Sequence, residues 1–303
     1  MRFLSLPNAL PEEADVIILP VPFEGTVTYK TGTAGGPEAI LAASGQLEFY
    51  DEDTGWCPTR HMKIAVLPPQ SCSTGEDEET YHRKLFDTVA GLRQEPLCIA
   101  LGGEHSITPE MVFARMPTGG TVVQIDAHAD LRPSYRGSVY NHACPMRRIR
   151  DKDYKLVQIG IRSLHANEAA AIAKDYGITT YLDRLLQRPE AQQKMHRHLA
   201  TLTGPVWLTI DLDGFDPALV AGVGTPQPGG LSWYQVVDIV EIVMRNEHID
   251  LRGVDIVELV PEPSRVSEMV AAKLLQKCIS FWGKARGYQQ RPAQGSQTGA
   301  PDE

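Results

Sequence analysis

Residues 121–130 read TVVQIDAHAD. An apolar run rich in β-branched residues passes directly into three potential metal ligands, Asp126, His128 and Asp130. If the segment stayed extended, Asp126 and Asp130 would lie about 13 Å apart, at roughly 3.3 Å per residue. The two ions of a catalytic metal pair sit only about 3.5–4 Å apart. For all three side chains to serve one site, the chain must leave the strand near Asp126 and curl over it. A buried strand that delivers a ligand loop at its carboxyl end is how open α/β sheets hold their sites.

Working outward, the same arrangement recurs. PLCIAL (96–101) runs into GGEHSITPE, placing His105 just past a strand; VWLTI (206–210) runs into DLDGFDP, placing Asp211 and Asp213; the strand over 251–257 ends at Glu258 in VDIVEL. DVIILPV (15–21) and KLVQIGI (155–161) are further apolar strands. Between them lie helical patterns. Tyr81, Leu85, Val89 and Leu92 recur at helical spacing over 78–93, and Thr108-Pro109 marks a helix start. The 165–202 region reads as helical, with Met195, Leu199 and Leu202 on one face. Ser232 and Gln235 form a capping box before a valine-rich helix, and a closing helix spans 266–282, stopping near Gly283. Strands alternating with helices, without a linker or repeat, predict one domain over 1–286. The fold class expected is a three-layer α/β/α sandwich with a mostly parallel central sheet. The Gln-, Gly-, Pro- and Ser-rich tail over 287–303 is expected to be disordered.

Bulk properties narrow the function. A 303-residue chain with 42% apolar and 22% charged residues has ample material for a core, and its formal net charge of −9 argues against a nucleic-acid footprint. The five cysteines, Cys57, Cys72, Cys98, Cys144 and Cys278, are odd in number and contain no Cys-x-x-Cys, which speaks against a disulfide framework or a structural zinc site. The start has prolines and glutamates where a signal peptide needs an apolar core, and no apolar run reaches a membrane span. A cytoplasmic enzyme that uses neither membrane nor nucleic acid is the expectation.

His105, Asp126, His128, Asp130, Asp211 and Asp213 are therefore gathered as ligand candidates at one sheet edge. Four carboxylates buried together require a cation, and two imidazoles with four carboxylates suit Mn²⁺ better than a thiolate-rich zinc site does. DLDGFD alone would also fit a turn or a calcium loop, but Asp216 occupies the position where an EF-hand needs glycine. The glycine-rich stretch after the first strand, FEGTVTYKTGTAGGPEAI, lacks the pattern of a phosphate-binding P-loop. It reads either as a turn into a helix at Pro37 or as a loop over the site.

LGGEHSIT, QIDAHADLR, NHACPMRR, TIDLDGFDPALVAGVGTPQPGG and VDIVEL, in that order, resemble the ureohydrolase family of arginases and agmatinases, and the resemblance runs from about residue 16 to 282. PFEGTVTYKTGTAGGPEAI and NHACPMRR are more similar to the agmatinase branch. The resemblance implies two Mn²⁺ per subunit, one held by His105, Asp126, Asp130 and Asp211, the other by Asp126, His128, Asp211 and Asp213. It also implies a homotrimer or homohexamer and a small cationic guanidino substrate, agmatine being hydrolysed to putrescine and urea. Asp130 would carry a proton, His142 would shuttle protons or orient the substrate, and Glu258 would hold the guanidinium, whose planar fork of donors matches a carboxylate. The 222–230 loop, GVGTPQPGG, would shape the site.

The sequence departs from the family pattern at Ala34, where many relatives carry arginine, after Glu258 in ELVPEPSRV, and at Cys144 and Pro145. These departures leave the substrate's far end open. 4-Guanidinobutyrate, aminopropylagmatine and formiminoglutamate are the alternatives, with Arg162 as one candidate contact; a non-catalytic binding protein on the same scaffold is the remote one. A binuclear phosphoesterase would require a GNH[DE]-type motif, which the chain lacks.

Overall fold

The computed structural model describes residues 1–293. Its eight strands are β1 (Val16–Val21), β2 (Ile64–Val66), β3 (Leu97–Gly102), β4 (Thr121–Ile125), β5 (Lys155–Ile161), β6 (Ile178–Leu182), β7 (Gly204–Asp211) and β8 (Ile249–Val257), in the order β2-β1-β3-β8-β7-β4-β5-β6. Every pairing is parallel. An all-parallel sheet must be covered on both faces, which is why its central strands read as continuous apolar runs.

Alternation along the strands assigns the two covers. Ile99, Leu101, Val123, Ile125, Leu208 and Ile210 belong to one core with residues of α1 (Gly36–Ser44), α7 (Pro189–Ala200), α8 (Trp233–Arg245) and α9 (Val266–Ala285). Ala100, Val122, Leu156 and Trp207 belong to the opposite core with residues of α2 (Glu78–Ala90), α3 (Thr108–Arg115) and α4 (Pro145–Arg150). The fold is the expected three-layer α/β/α arrangement. The capping box at Ser232 and Gln235 is formed.

Two edge elements escaped the sequence reading. The region expected to be wholly helical over 165–202 contains α5 (Ala166–Ile172), the strand β6 and α6 (Asp183–Leu186) before α7. ITTYL is strand-prone but half-exposed, so its apolar pattern is weak. On the opposite edge β2 has only three residues, too few to show a period. The closing helix also continues past Gly283 to Ala285. Beyond it Tyr288–Gln290 make a 3₁₀ turn, with the Tyr288 ring 5.4 Å from that of Trp282. The remainder of the expected tail, residues 294–303, lies outside the described residues. Among the described residues no helix is long and apolar enough to cross a membrane.

Candidate metal centre and active site

The middle four strands, β3-β8-β7-β4, end side by side, and every expected site residue but His142 leaves from one of their carboxyl ends. β4 stops at Ile125, so the chain does turn off the sheet at Asp126. The return is made by backbone in the left-handed region at Asp130, with φ 53°. Glu258, directly after β8, has φ 68°. For a residue with a Cβ such a conformation costs on the order of 1 kcal/mol or more, and strain of this kind concentrates at functional sites.

His105 Nδ1 lies 3.1 Å from Asp126 Oδ2, 3.1 Å from Asp130 Oδ2 and 3.3 Å from Asp211 Oδ2. His128 Nδ1 lies 2.9 Å from Asp213 Oδ2 and 3.7 Å from Asp126 Oδ1. Two compact donor sets result, His105/Asp126/Asp211 and Asp126/His128/Asp213, with Asp126 common to both. Asp130 approaches from the His105 side, and Asp211 belongs to the first set while its Oδ1 accepts from the Asp213 amide.

Electrostatics bear on what this cluster can hold. Asp126, Asp130, Asp211 and Asp213 are all buried. Burial, reinforced by neighbouring carboxylates, pushes Asp211 well above the usual carboxylate range and Asp130 up to about 7, and burial also raises Asp213. For Asp126 burial acts the same way, but the His105 and His128 imidazoles prevail and hold its carboxyl below the usual range. Burial would lower the imidazoles; the carboxylates outweigh it, raising His105 well above its ordinary value and His128 to about 12. Positive charge placed among these carboxylates would therefore be strongly favoured. His105 Nδ1 is buried, faces three carboxylates and has no hydrogen-bond partner. A divalent pair fits this donor set of carboxylate oxygens and imidazole nitrogens.

Glu258 Oε1 accepts from the His105 backbone amide at 2.7 Å and lies 3.7 Å from His142 Nδ1. His142 sits in the loop before α4, where its backbone amide donates to Thr26 Oγ1 at 2.9 Å and its Nε2 is 3.3 Å from Thr28 Oγ1. Burial lowers the His142 pKa, but Glu258 outweighs it and the net shift is upward.

Supporting residues surround these groups, and Glu104, Gln124 and Gln158 had no role in the sequence reading. Glu104, beside His105, accepts from the Gly25 and Thr26 amides and from the Thr26 hydroxyl, so the glycine-rich segment after β1 is fastened over the site instead of being a free turn. A Cβ at Gly103 would come 1.9 Å from the Phe23 carbonyl oxygen, so that approach needs glycine. Gln124 Nε2 donates to Asp126 Oδ2 at 2.7 Å and is held in turn by Gln158. In the 222–230 loop, Thr225 Oγ1 donates to Asp213 Oδ2 and Gln227 Nε2 lies 3.4 Å from His128 Nε2. Arg162 is not a free contact for substrate: its guanidinium donates to the carbonyls of Asp213, Phe215 and Gln227 and ties that loop down. Strand-end polar residues inside an apolar run, such as Gln124, were the one available signal for these supports.

The model of the Arginase family matches residues 14–280. This chain belongs to the arginase family. It is 36% identical to the N(1)-aminopropylagmatine ureohydrolase of Synechocystis over 284 residues, covering 90% of this chain and 91% of that protein. To the agmatinase of Pyrococcus horikoshii it is 34% identical over 286 residues, covering 90% and 93%. The crystal structure of the agmatine ureohydrolase of Thermoplasma volcanium superposes with a TM-score of 0.82 at 29% identity, covering 94% of this chain and 96% of that one. The arginase-family chain is accordingly a ureohydrolase, a hydrolase of guanidino C–N bonds.

Proposed function

We propose that this ureohydrolase holds two Mn²⁺ ions in the His105/Asp126/Asp211 and Asp126/His128/Asp213 sets, with Asp130 beside the first, and hydrolyses agmatine to putrescine and urea. The observation that carries the reading is the buried, unpartnered His105 Nδ1 facing three carboxylates, in a cluster whose two donor sets share Asp126. When bound, such a pair supplies the Lewis acidity that lowers the pKa of water toward neutrality.

The protein's own groups do the rest. Glu258 offers its carboxylate to the guanidinium and keeps the reacting carbon beside the aspartates. Asp130, 3.1 Å from His105 Nδ1 at the edge of the cluster, is placed to pass a proton through its carboxyl. His142, joined to the glycine-rich segment through Thr26 and facing Glu258, protonates the departing amine or receives a proton from solvent.

The segment that touches His142 through Thr26 also borders, through Phe23, Glu24 and Gly25, an open cleft of about 800 Å³. Glu24, Glu76, Asp77, Glu78 and Glu79 are among its lining residues; Glu76 is paired with Lys84, and Glu24 accepts from the Gly32 and Ala34 amides. The similarity to proteins named N(1)-aminopropylagmatine ureohydrolase and agmatinase supports a cationic far end over the carboxylates of 4-guanidinobutyrate and formiminoglutamate. The 36% identity to proteins named N(1)-aminopropylagmatine ureohydrolase favours a second reading, in which the substrate carries the extra aminopropyl group.

Urea release by manganese-loaded protein from agmatine, aminopropylagmatine, arginine and 4-guanidinobutyrate tests both. Preference for agmatine is expected; preference for aminopropylagmatine moves the assignment to the longer amine. Preference for 4-guanidinobutyrate, or no urea from any compound with two ions bound, overturns it.

A further inference from the structure

Behind His105, away from the aspartates, lies a short chain of buried polar groups. Thr209 Oγ1 is 2.8 Å from His105 Nε2 and 2.5 Å from Asp255 Oδ1, while Asp255 Oδ2 accepts from Trp207 Nε1 at 2.6 Å. The β7–β8 register sets Thr209 opposite Asp255, and Trp207 and Thr209, two apart on β7, point to the same side. Thr209, Asp255 and Trp207 are fully buried, so this chain stands apart from solvent.

Counting protons gives the chain a direction. A hydroxyl has one hydrogen, an indole N–H only donates, and an ionised carboxylate only accepts; burial raises the Asp255 pKa, while the hydrogen bonds from Thr209 and Trp207 oppose it and favour the ionised form. The Trp207 indole and the Thr209 hydroxyl both donate to Asp255. Thr209 has then spent its hydrogen, so its oxygen can only accept from His105, whose Nε2 must carry the hydrogen. In the neutral imidazole, the form that binds a cation, the lone pair is then on Nδ1, the atom that faces Asp126, Asp130 and Asp211. We propose that Asp255 is a positioning residue which, acting through Thr209, fixes His105 in the one tautomer able to bind a cation through Nδ1. The proposal rests on the reading of His105 as a metal ligand.

Asp255→Asn should reverse the chain. The Trp207 N–H claims the amide oxygen, so the amide NH₂ must face Thr209. Thr209 then accepts from Asn and donates its own hydrogen to His105 Nε2, which forces the imidazole hydrogen onto Nδ1 and blocks the cation. Thr209→Val removes the relay but imposes no wrong tautomer. In the double variant the misdirected hydroxyl is gone, and metal binding should return to the Thr209→Val level. A merely structural role predicts that the second substitution adds to the damage.

The test is Mn²⁺ affinity by equilibrium dialysis with electron paramagnetic resonance detection of free ion, with unfolding curves recorded for each variant. Asp255→Asn should bind the ion about 10- to 100-fold more weakly, the span typical of lost support to a metal-bound histidine. Thr209→Val should lose less, and Asp255→Asn/Thr209→Val should bind more tightly than Asp255→Asn alone. Wild-type affinity in Asp255→Asn, or a double variant weaker than Asp255→Asn, overturns the proposal. If Asp255→Asn does not fold, Thr209→Ser and Thr209→Val carry the test: serine must keep the wild-type affinity and valine must weaken it, and equal affinities overturn it. Wild-type protein that takes up no manganese overturns the metal reading itself, a result distinct from all of these.

Discussion

Asp126 stands between the His105 and His128 imidazoles, its Oδ2 3.1 Å from His105 Nδ1 and its Oδ1 3.7 Å from His128 Nδ1. One carboxylate therefore belongs to both donor sets, whereas His128 belongs to one. Asp126→Ala should lose both ions and all urea release, and His128→Ala should lose one ion while retaining part of the other. Metal content of dialysed protein by plasma mass spectrometry checks this. Two ions retained by Asp126→Ala would remove it from the bridging position.

Glu258 is tied to the centre by accepting from the His105 amide, yet it belongs to neither donor set. Glu258→Gln keeps an acceptor oxygen for that amide and deletes the charge. Metal content should stay at two ions while kcat/KM falls about 10- to 100-fold, matching the roughly 1.5–3 kcal/mol of a hydrogen bond to a charged group. Steady-state kinetics with metal analysis on the same sample decide it; unchanged kinetics would show that Glu258 does not hold the guanidinium.

Metal-free protein should lose stability as pH rises. Burial and the Asp126 charge raise Asp130 from 3.8 to about 7; burial lowers His128, but Asp213 and Asp126 outweigh it and raise this group from 6.5 to about 12. Each group binds more protons folded than unfolded across its window, so the stability it contributes is fully present below the unfolded pKa and is lost as pH rises through the folded one. Asp126, shifted downward, acts in the opposite sense but only below its ordinary value of 3.8. Chelated protein should melt lower at about pH 9 than at about pH 6, and manganese should raise Tm more at the higher pH, where it replaces protons already lost. Scanning calorimetry with and without chelator measures both; a chelated protein more stable at the higher pH would contradict the assignment.

Lys277, fully buried on α9, lies 2.8 Å from Asp51, 3.0 Å from Glu52 and 2.7 Å from Asp53. Asp51 is itself fully buried, so Lys277→Met would strand its charge. A loss of about 3–5 kcal/mol is expected, as for other buried pairs broken from one side. Urea unfolding should show this with metal content unchanged, and the added substitution Asp51→Asn should recover part of it. A loss below about 1 kcal/mol would mean that the remaining carboxylates are solvated without Lys277.

The alternation of strands and helices was legible because central parallel strands are buried on both faces and their runs, such as 97–101 and 206–210, are almost wholly apolar. The edges were not. Ile178–Leu182 is half-exposed and Ile64–Val66 is too short to carry a period, so helix propensity around the first hid it and nothing marked the second.

By itself the sequence determined that ligand-type side chains follow four apolar runs, and that a chain which must leave its strand at Asp126 gathers them at one sheet edge. It also determined family membership, since the motifs occur in order along nearly the whole chain. Only the tertiary structure decided which atoms face one another: that Asp126 is shared by both donor sets, that Arg162 is consumed by carbonyls, and that Asp255 reaches His105 through Thr209. The physical reason is that spacing along a chain fixes which strand end a residue occupies. Donor and acceptor pairing between strands depends on register and strand order, and neighbours such as β7 and β8 acquire these only when the sheet closes around its core.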